Sequence, residues 1–305
     1  MNSRLTQTRL PVRDRRGQVG FSQRVRLEWL ERTANLVLAG NDEASIAGAL
    51  QELLEDKLSV GRNVCESRAK RPTSIKTRIK RTRDAGRATP GRIRGNREKV
   101  ITILMKIWVR PPRDLHPLQR EGLKLLSHLP REDHIAVHWG MAMAVYPFWG
   151  NVAAHVGRLL RLQGTATHAQ VRRRMMEQYG QRPTVRDAVR RVLRSMVDWG
   201  VLKDAMTHDA RRADGTYVPG LSLAIAQVEV IAWLAEAFLH AHPNGPACRS
   251  TGAGRSVALR TVLDSTTLFP FRLSPVSAAH LVAVSGRLDV LRHGLDQDLI
   301  MLRSR

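Results

Sequence analysis

The pattern that decides the fold lies in residues 165–202, TATHAQVRRRMMEQYGQRPTVRDAVRRVLRSMVDWGVL. Thr167 is a favourable N-cap for a first helix, and Gly180 is a favourable residue to end it. After the turn QRPT, Thr184 is placed to cap a second helix over residues 185–199. The segment therefore predicts two helices joined by a short turn.

The second of these helices is amphipathic. Its apolar residues recur at helical spacing and predict one buried face. They are Val185, Ala188, Val189, Val192, Leu193, Met196 and Val197. Arg186, Arg190 and Arg194 are four residues apart and therefore form one stripe on the opposite side, with Arg191 beside it. Most charged stripes are solvated helix faces, so the stripe alone does not establish a binding surface.

The residues that follow predict a β-hairpin. Val201 and Leu202 begin a strand, the polar turn THDARRADG follows, and Tyr217 with Val218 can return as the second strand. This order of elements is typical of a winged helix-turn-helix, in which the second helix enters the major groove and the wing contacts the DNA backbone. The predicted contacts are Thr184, Arg186, Arg190, Arg191 and Arg194 on the helix, and Arg211 and Arg212 on the wing.

The charge of the chain supports a polyanionic partner. The 305 residues include 50 Lys and Arg against 27 Asp and Glu, a formal net charge of +23. Such an excess repels itself in the folded state and is typical of proteins that bind nucleic acid. Residues 62–97 alone contain thirteen Lys or Arg and two acids. We expect this basic segment to add phosphate contacts through Lys76, Lys80, Arg81 and Arg83.

The remaining patterns predict a mainly α fold: a helical N-terminal bundle, the winged helix-turn-helix and a small α/β C-terminal extension. Five units follow from composition and periodicity. They are a flexible basic arm (1–20), a helical domain (21–164) that contains the basic segment 62–97, a winged-helix domain with a closing helix (165–241), a linker (242–256) and the extension (257–305). In the first domain, residues 21–38 have helical periodicity. In the extension, the residues around Gly294 favour two short strands.

The sequence contains no motif that predicts an enzyme. It has no P-loop, no GxGxxG and no GxSxG motif, and its two cysteines, Cys65 and Cys248, form no CxxC pair. His134 and His138 are four residues apart, but no Glu lies between them as a zinc peptidase needs. A pair of satisfied structural histidines is the stronger interpretation. We therefore predict a non-enzymatic protein with no cofactor and no metal.

A nuclease is the weaker alternative. Asp289, Asp296 and Asp298 lie close together in sequence, and two-metal nucleases are built from acids. No Glu-x-Lys pair accompanies them.

The chain has no pattern that predicts association with a membrane. The N-terminus is basic but lacks the apolar stretch of a signal peptide. The longest apolar region, residues 135–156, is interrupted by polar residues and by Pro147, so it predicts a buried helix pair. Two distant cysteines fit a reducing compartment. We therefore expect a cytoplasmic protein.

The order of parts resembles the BrxA family, small accessory proteins of BREX phage-defence systems. The resemblance covers about residues 21–218 and is carried by TRIKRTRDAG (77–86) and TVRDAVRRVLRSMVDWGVL (184–202). The chain departs from that pattern in its addition after residue 242 and in its longer basic loop. The resemblance implies a non-catalytic, DNA-binding component of a bacterial defence system, with protein partners, and it carries over no catalytic residue.

Three functions remain open from the sequence. The leading one is a sequence-tolerant binder of double-stranded DNA. The second is a site-specific transcriptional regulator, which needs a stable dimer that no heptad pattern here supplies. The third is a structural adaptor whose winged helix docks a protein partner or RNA, because not every winged helix binds DNA. The sequence leaves the oligomeric state open.

Overall fold

The computed structural model describes residues 19–60, 90–206, 212–242, 256–293 and 297–303. Within them the protein is mainly helical, with three small sheets. The basic arm, most of the basic segment, Arg211 and most of the linker lie outside the described residues. So do Lys76, Lys80, Arg81 and Arg83, and their predicted roles stay predictions.

The helices of the described ranges follow the apolar periodicity of the sequence. They are α1 (Leu27–Leu38), α2 (Glu43–Val60), α3 (Pro90–Trp108), α4 (His116–His128), α5 (His134–Val145), α6 (Pro147–Gln163), α7 (His168–Tyr179), α8 (Pro183–Asp198), α9 (Val228–Ala241), α10 (Leu259–Leu263) and α11 (Ala278–Val284). Within these ranges no helix is long and apolar enough to cross a membrane. The buried helix pair predicted in the region 135–156 is confirmed as α5 and the first half of α6.

Helices α5 and α9 form the centre of the core. Every residue of α5 from Ile135 to Val145 is buried, as expected of a helix that is apolar on all sides. Helix α9 packs against it, and the close approach requires a residue without a side chain: a Cβ on Gly140 would lie 2.3 Å from the ring of Trp233. Two tryptophans of this core bond their indole N–H groups: Trp233 donates to the Leu118 carbonyl at 2.9 Å, and Trp108 donates to His138 Nδ1 at 3.0 Å.

Residues 19–26 are extended instead of helical. The sequence predicts a helix from residue 21, but α1 begins only at Leu27. Phe21 and Val25 are nevertheless fully buried, because the segment lies against other elements. Phe21 packs on the rings of Tyr146 and Trp149, with centroids 5.6 and 5.0 Å apart. Tertiary contacts therefore override the helical periodicity here.

The region that follows α6 combines two helices with a small sheet. Strand β1 (Ala166–Thr167) precedes α7, and strands β2 (Leu202–Met206) and β3 (Arg212–Pro219) follow α8. Both pairings are antiparallel, and the strand order is β1-β3-β2. The predicted hairpin is confirmed as β2 and β3, whereas β1 has no counterpart in the sequence analysis.

The C-terminal residues pack on the same core as the rest of the chain. Strand β4 (Leu223–Ile225), inside a segment expected to be helical, pairs in parallel with β6 (Phe271–Leu273). Strands β5 (Ser256–Ala258), β8 (Gln297–Leu302) and β7 (Leu288–His293) form an antiparallel sheet, which confirms the two strands predicted around residue 294. Arg287 fixes this unit to α9, because its Nη2 lies 2.8 Å from the buried Glu236 carboxylate. The buried apolar residues form one continuous cluster.

Candidate nucleic-acid interface

Helix α7 is built by local signals, as predicted. Thr167 accepts a hydrogen bond from the Gln170 backbone N–H at 3.2 Å, and the Gln170 side chain bonds back to the Thr167 backbone N–H at 3.0 Å. This capping box satisfies two N–H groups that a helix start leaves unpaired. Gly180 follows the helix with a φ of 89°, a conformation that favours glycine. The turn to α8 is therefore fixed by the sequence.

Helix α8 begins two residues earlier than predicted. Its first residue is Pro183, its N-cap is Arg182, and no side chain caps it. Thr184 therefore lies inside the first turn, exposed, and the expectation that it caps the helix is wrong. Proline is favoured at the first helical position because its fixed φ suits a helix and its missing N–H costs no bond there.

The buried face of α8 is as predicted except for Val197, which is half-buried, whereas the basic face is exposed only in part. Seven of its residues are buried against the core: Val185, Ala188, Val189, Val192, Leu193, Ser195 and Met196. Arg186 and Arg190 are exposed on the opposite side. Arg186 lies 3.6 Å from the Asp187 carboxylate, and Arg190 forms no ion pair within the described ranges. These two arginines are the part of the predicted stripe that faces solvent.

Arg194 binds the hairpin. Its Nη1 donates to both carboxylate oxygens of Asp204, at 3.0 and 3.1 Å. The Asp204 side chain is only 8% exposed, whereas that of Arg194 is 31% exposed. The pair therefore joins the last turns of α8 to β2, a role that the four-residue spacing could not distinguish from a DNA contact.

Arg191 turns towards the N-terminal segment. Its Nη1 donates to the backbone carbonyl of Ser22, 169 residues away in sequence. Nearby, the Val25 backbone N–H donates to Ser195 Oγ at 2.9 Å, and the Trp199 indole N–H donates to the Val25 carbonyl at 3.0 Å. Residues 22–25 therefore run alongside α8 in the same direction as the helix.

Arg24 is the basic residue that the sequence analysis missed. It forms a two-fold ion pair with Asp198 at the end of α8. The hydrogen bonds that Arg24 donates to the Asp198 carboxylate raise the pKa of the guanidinium. No local signal could have found it, because its position depends on the burial of Phe21 and Val25 far away in sequence.

These arginines surround a cavity of about 400 Å³ between α8, the hairpin and the N-terminal segment. Its lining includes Arg24, Arg190, Arg191 and Arg194, together with Asp204 and Gly215. The described structure thus brings three of the predicted arginines to one place, and Arg186 lies one helical turn before Arg190 on the same side of α8. The arrangement concentrates positive charge beside an exposed basic helix face.

The hairpin approaches the start of α7 at the same place. A Cβ on Gly215 would lie 3.3 Å from the Cβ of His168. Burial lowers the pKa of His168, and the charges of Arg172 and Arg190 lower it further, so the imidazole is neutral at neutral pH. Arg212 belongs to β3, where its backbone pairs with Met206. Arg211 lies outside the described residues.

Within the described ranges, the residues of the two alternative catalytic interpretations have structural partners. His138 is fully buried and accepts a hydrogen bond from the Trp108 indole at 3.0 Å, whereas His134 bonds to the Leu129 carbonyl. Asp289 is held by Arg303 at 2.8 Å, and Asp296 lies outside the described residues. In the part of the chain that the structure describes, no three His, Cys, Asp or Glu residues are grouped so that they could hold a metal ion.

Comparison with known protein families, curated proteins and solved structures finds no match to this chain.

Proposed function

We propose that the protein binds double-stranded DNA without catalysis, through α8 and the adjoining hairpin. The observation that carries this proposal is the exposed Arg186–Arg190 face beside the cavity that four arginines line. Guanidinium groups bind phosphate oxygens through two parallel hydrogen bonds, so this surface suits the DNA backbone.

The order of elements supports a winged helix-turn-helix. A helix, a short strand, two helices and a hairpin follow one another as α6, β1, α7, α8 and β2–β3, and the short strand pairs with the second strand of the hairpin. In that fold the helix before the hairpin enters the major groove and the hairpin forms the wing. On this assignment α8 is the groove-facing helix, and the residues around Gly215 belong to the wing.

Phosphate contacts are expected to dominate the binding. The net charge of +23 supplies a sequence-independent attraction, whereas among the described residues only Arg186 and Arg190 of the predicted arginines on α8 have no bond to another element of the fold. Few side chains are then available to read base edges. We therefore propose a sequence-tolerant binder that serves a multiprotein system. A role in bacterial phage defence rests on the BrxA resemblance.

A docking module is the second candidate, and one observation favours it. Arg191 and Arg194 are engaged inside the protein, so the exposed stripe is shorter than the sequence predicts. A winged helix that docks a protein partner needs no long basic stripe. The two candidates differ in their response to salt.

The test is a salt titration of duplex binding with the full-length protein. We expect log K to fall linearly with log salt concentration, with a slope of about −0.9 for each phosphate contact. A protein that reads no base pair should bind duplexes of unrelated sequence within about ten-fold of one another. A larger difference would mean that base pairs are read, because the discrimination of a single base pair is worth about 1–3 kcal/mol. A flat response to salt, or no binding at low salt, would exclude DNA as the ligand. A strong preference for one sequence would favour a site-specific regulator.

A further inference from the structure

We infer that the arginine-lined cavity between α8, the hairpin and residues 22–25 is a binding site for one phosphate group of the DNA backbone. This inference rests on the proposed function and names the place on the protein where a single backbone phosphate is fixed. Arg190 and Arg191 supply its charge.

The described side chains around the cavity include more positive than negative charges. Four guanidinium groups line it, and two carboxylates neutralise two of them: Asp198 pairs with Arg24 and Asp204 with Arg194. Arg190 and Arg191 have no carboxylate partner in the described part of the chain. Among the described side chains, these charges leave an excess of two positive charges around the cavity, which an anion would offset.

Three of the arginines around the cavity are held in place by bonds to other parts of the protein. The hydrogen bond from Arg191 to the Ser22 carbonyl orients the guanidinium without neutralising it, because a carbonyl carries no net charge. The ion pairs of Arg24 and Arg194 fix the two sides of the cavity in the same way. Groups that are already oriented lose less side-chain entropy when they bind, so the cavity is organised before a ligand arrives.

The size and the position of the cavity suit a phosphate group. A volume of about 400 Å³ accommodates a phosphate group with several waters, since each water occupies about 30 Å³ in the liquid. The cavity lies between the proposed groove-facing helix and the proposed wing, where a backbone phosphate would pass. Four of the seven residues that line the cavity are arginines, which suits a phosphate group, and Tyr217 is the single aromatic residue among the seven.

The N-terminal segment is therefore part of the binding site. Arg24 lines the cavity, and Ser22 accepts the hydrogen bond from Arg191, because Val25 is held beside α8 by its bonds to Ser195 and Trp199. The site is shared between two parts of the chain about 170 residues apart. The helix-turn-helix alone would lack it.

The experiment compares the full-length protein with Arg190→Gln. Arg190 is exposed and forms no ion pair among the described residues, so the variant should unfold at the wild-type temperature in sodium chloride. Arg260→Gln is the matched control, because Arg260 is 93% exposed on α10 and its loss removes the same charge. Thermal unfolding is measured with inorganic phosphate and with sodium chloride at equal ionic strength, and duplex binding is measured as a function of salt.

We expect phosphate at about ten times its dissociation constant to raise the Tm of the wild type and of Arg260→Gln by about 3 °C over chloride. Arg190→Gln should lose this shift, and its slope of log K against log salt should be less steep by about 1. The control variant shares any general stabilisation by phosphate, so that effect cancels in the comparison.

Three results would overturn the inference, and they have different consequences. If phosphate stabilises the wild type no more than chloride does, the cavity is not an anion site, although DNA binding can still hold. If Arg190→Gln loses the phosphate shift but keeps the wild-type salt slope, the cavity takes a free phosphate and not the DNA backbone. If the wild type binds no duplex at low salt, the proposed function itself fails.

Discussion

Replacing Arg194 by Gln should destabilise the protein, although Arg194 lies in the same sequence stripe as Arg186 and Arg190. The change leaves the nearly buried Asp204 carboxylate without the guanidinium that now binds both of its oxygens. Breaking a fully buried ion pair costs about 3–5 kcal/mol, whereas exposed pairs contribute about 0–1 kcal/mol. With exposures of 31% and 8%, this pair lies between the two limits. We expect a loss of about 1–3 kcal/mol, or a Tm lower by roughly 2–6 °C.

Denaturant unfolding of Arg194→Gln, Asp204→Asn and the double variant measures this directly. The double-mutant cycle should give a coupling energy of about 0.5–3 kcal/mol, because the two side chains are in contact. Arg186→Gln is the matched control: it removes an arginine from the same helix whose side chain is 54% exposed, and it should leave the unfolding free energy unchanged. Unchanged stability of Arg194→Gln together with weakened DNA binding would refute the reasoning, since Arg194 would then be a DNA contact.

Two further predictions concern the core. Burial lowers the pKa of His138 from 6.5 to about 3, so the stability due to the neutral imidazole is complete above pH 6.5 and is lost as the pH falls towards 3. In denaturant unfolding, His138→Gln, which keeps an acceptor for Trp108, should lose less unfolding free energy between pH 7 and pH 4.5 than the wild type does. Equal losses in the two proteins would contradict this. Gly140→Ala should lower the free energy of unfolding by about 1–3 kcal/mol, because its Cβ would meet the Trp233 ring. Gly48→Ala, at a helical position where a Cβ would meet nothing within 4 Å, should raise it by about 0.5–1 kcal/mol. A wild-type Tm for Gly140→Ala would contradict the packing described.

Local signals in the sequence predicted the elements that local chemistry builds. Thr167 and Gly180 bound α7 because a capping hydrogen bond and a left-handed backbone depend only on neighbouring residues. The apolar spacing of α8 predicted its buried face, and the polar turn between two short apolar pairs, at residues 201–202 and 217–218, predicted the hairpin.

The features that escaped prediction depend on contacts between distant residues. Residues 21–26 belong to the stretch with helical periodicity, yet the bonds of Val25 to Ser195 and Trp199 hold them outside the helix. The partners of Arg191 and Arg194 are likewise set by tertiary structure. Spacing along a helix shows which arginines share a side of it, but not which of them another element engages.

The most direct test of the central claim is duplex binding by Arg186→Gln/Arg190→Gln, with Arg260→Gln as control. Both arginines of the double variant are exposed and contribute nothing to the buried face of α8, so its Tm should equal that of the wild type. Competition with a labelled duplex at fixed low salt should show clearly weaker binding for the double variant. A separate salt titration should give a slope of log K against log salt that is less steep by about 2. The control should bind as the wild type does. Wild-type affinity and slope in the double variant would contradict the claim that α8 faces the DNA.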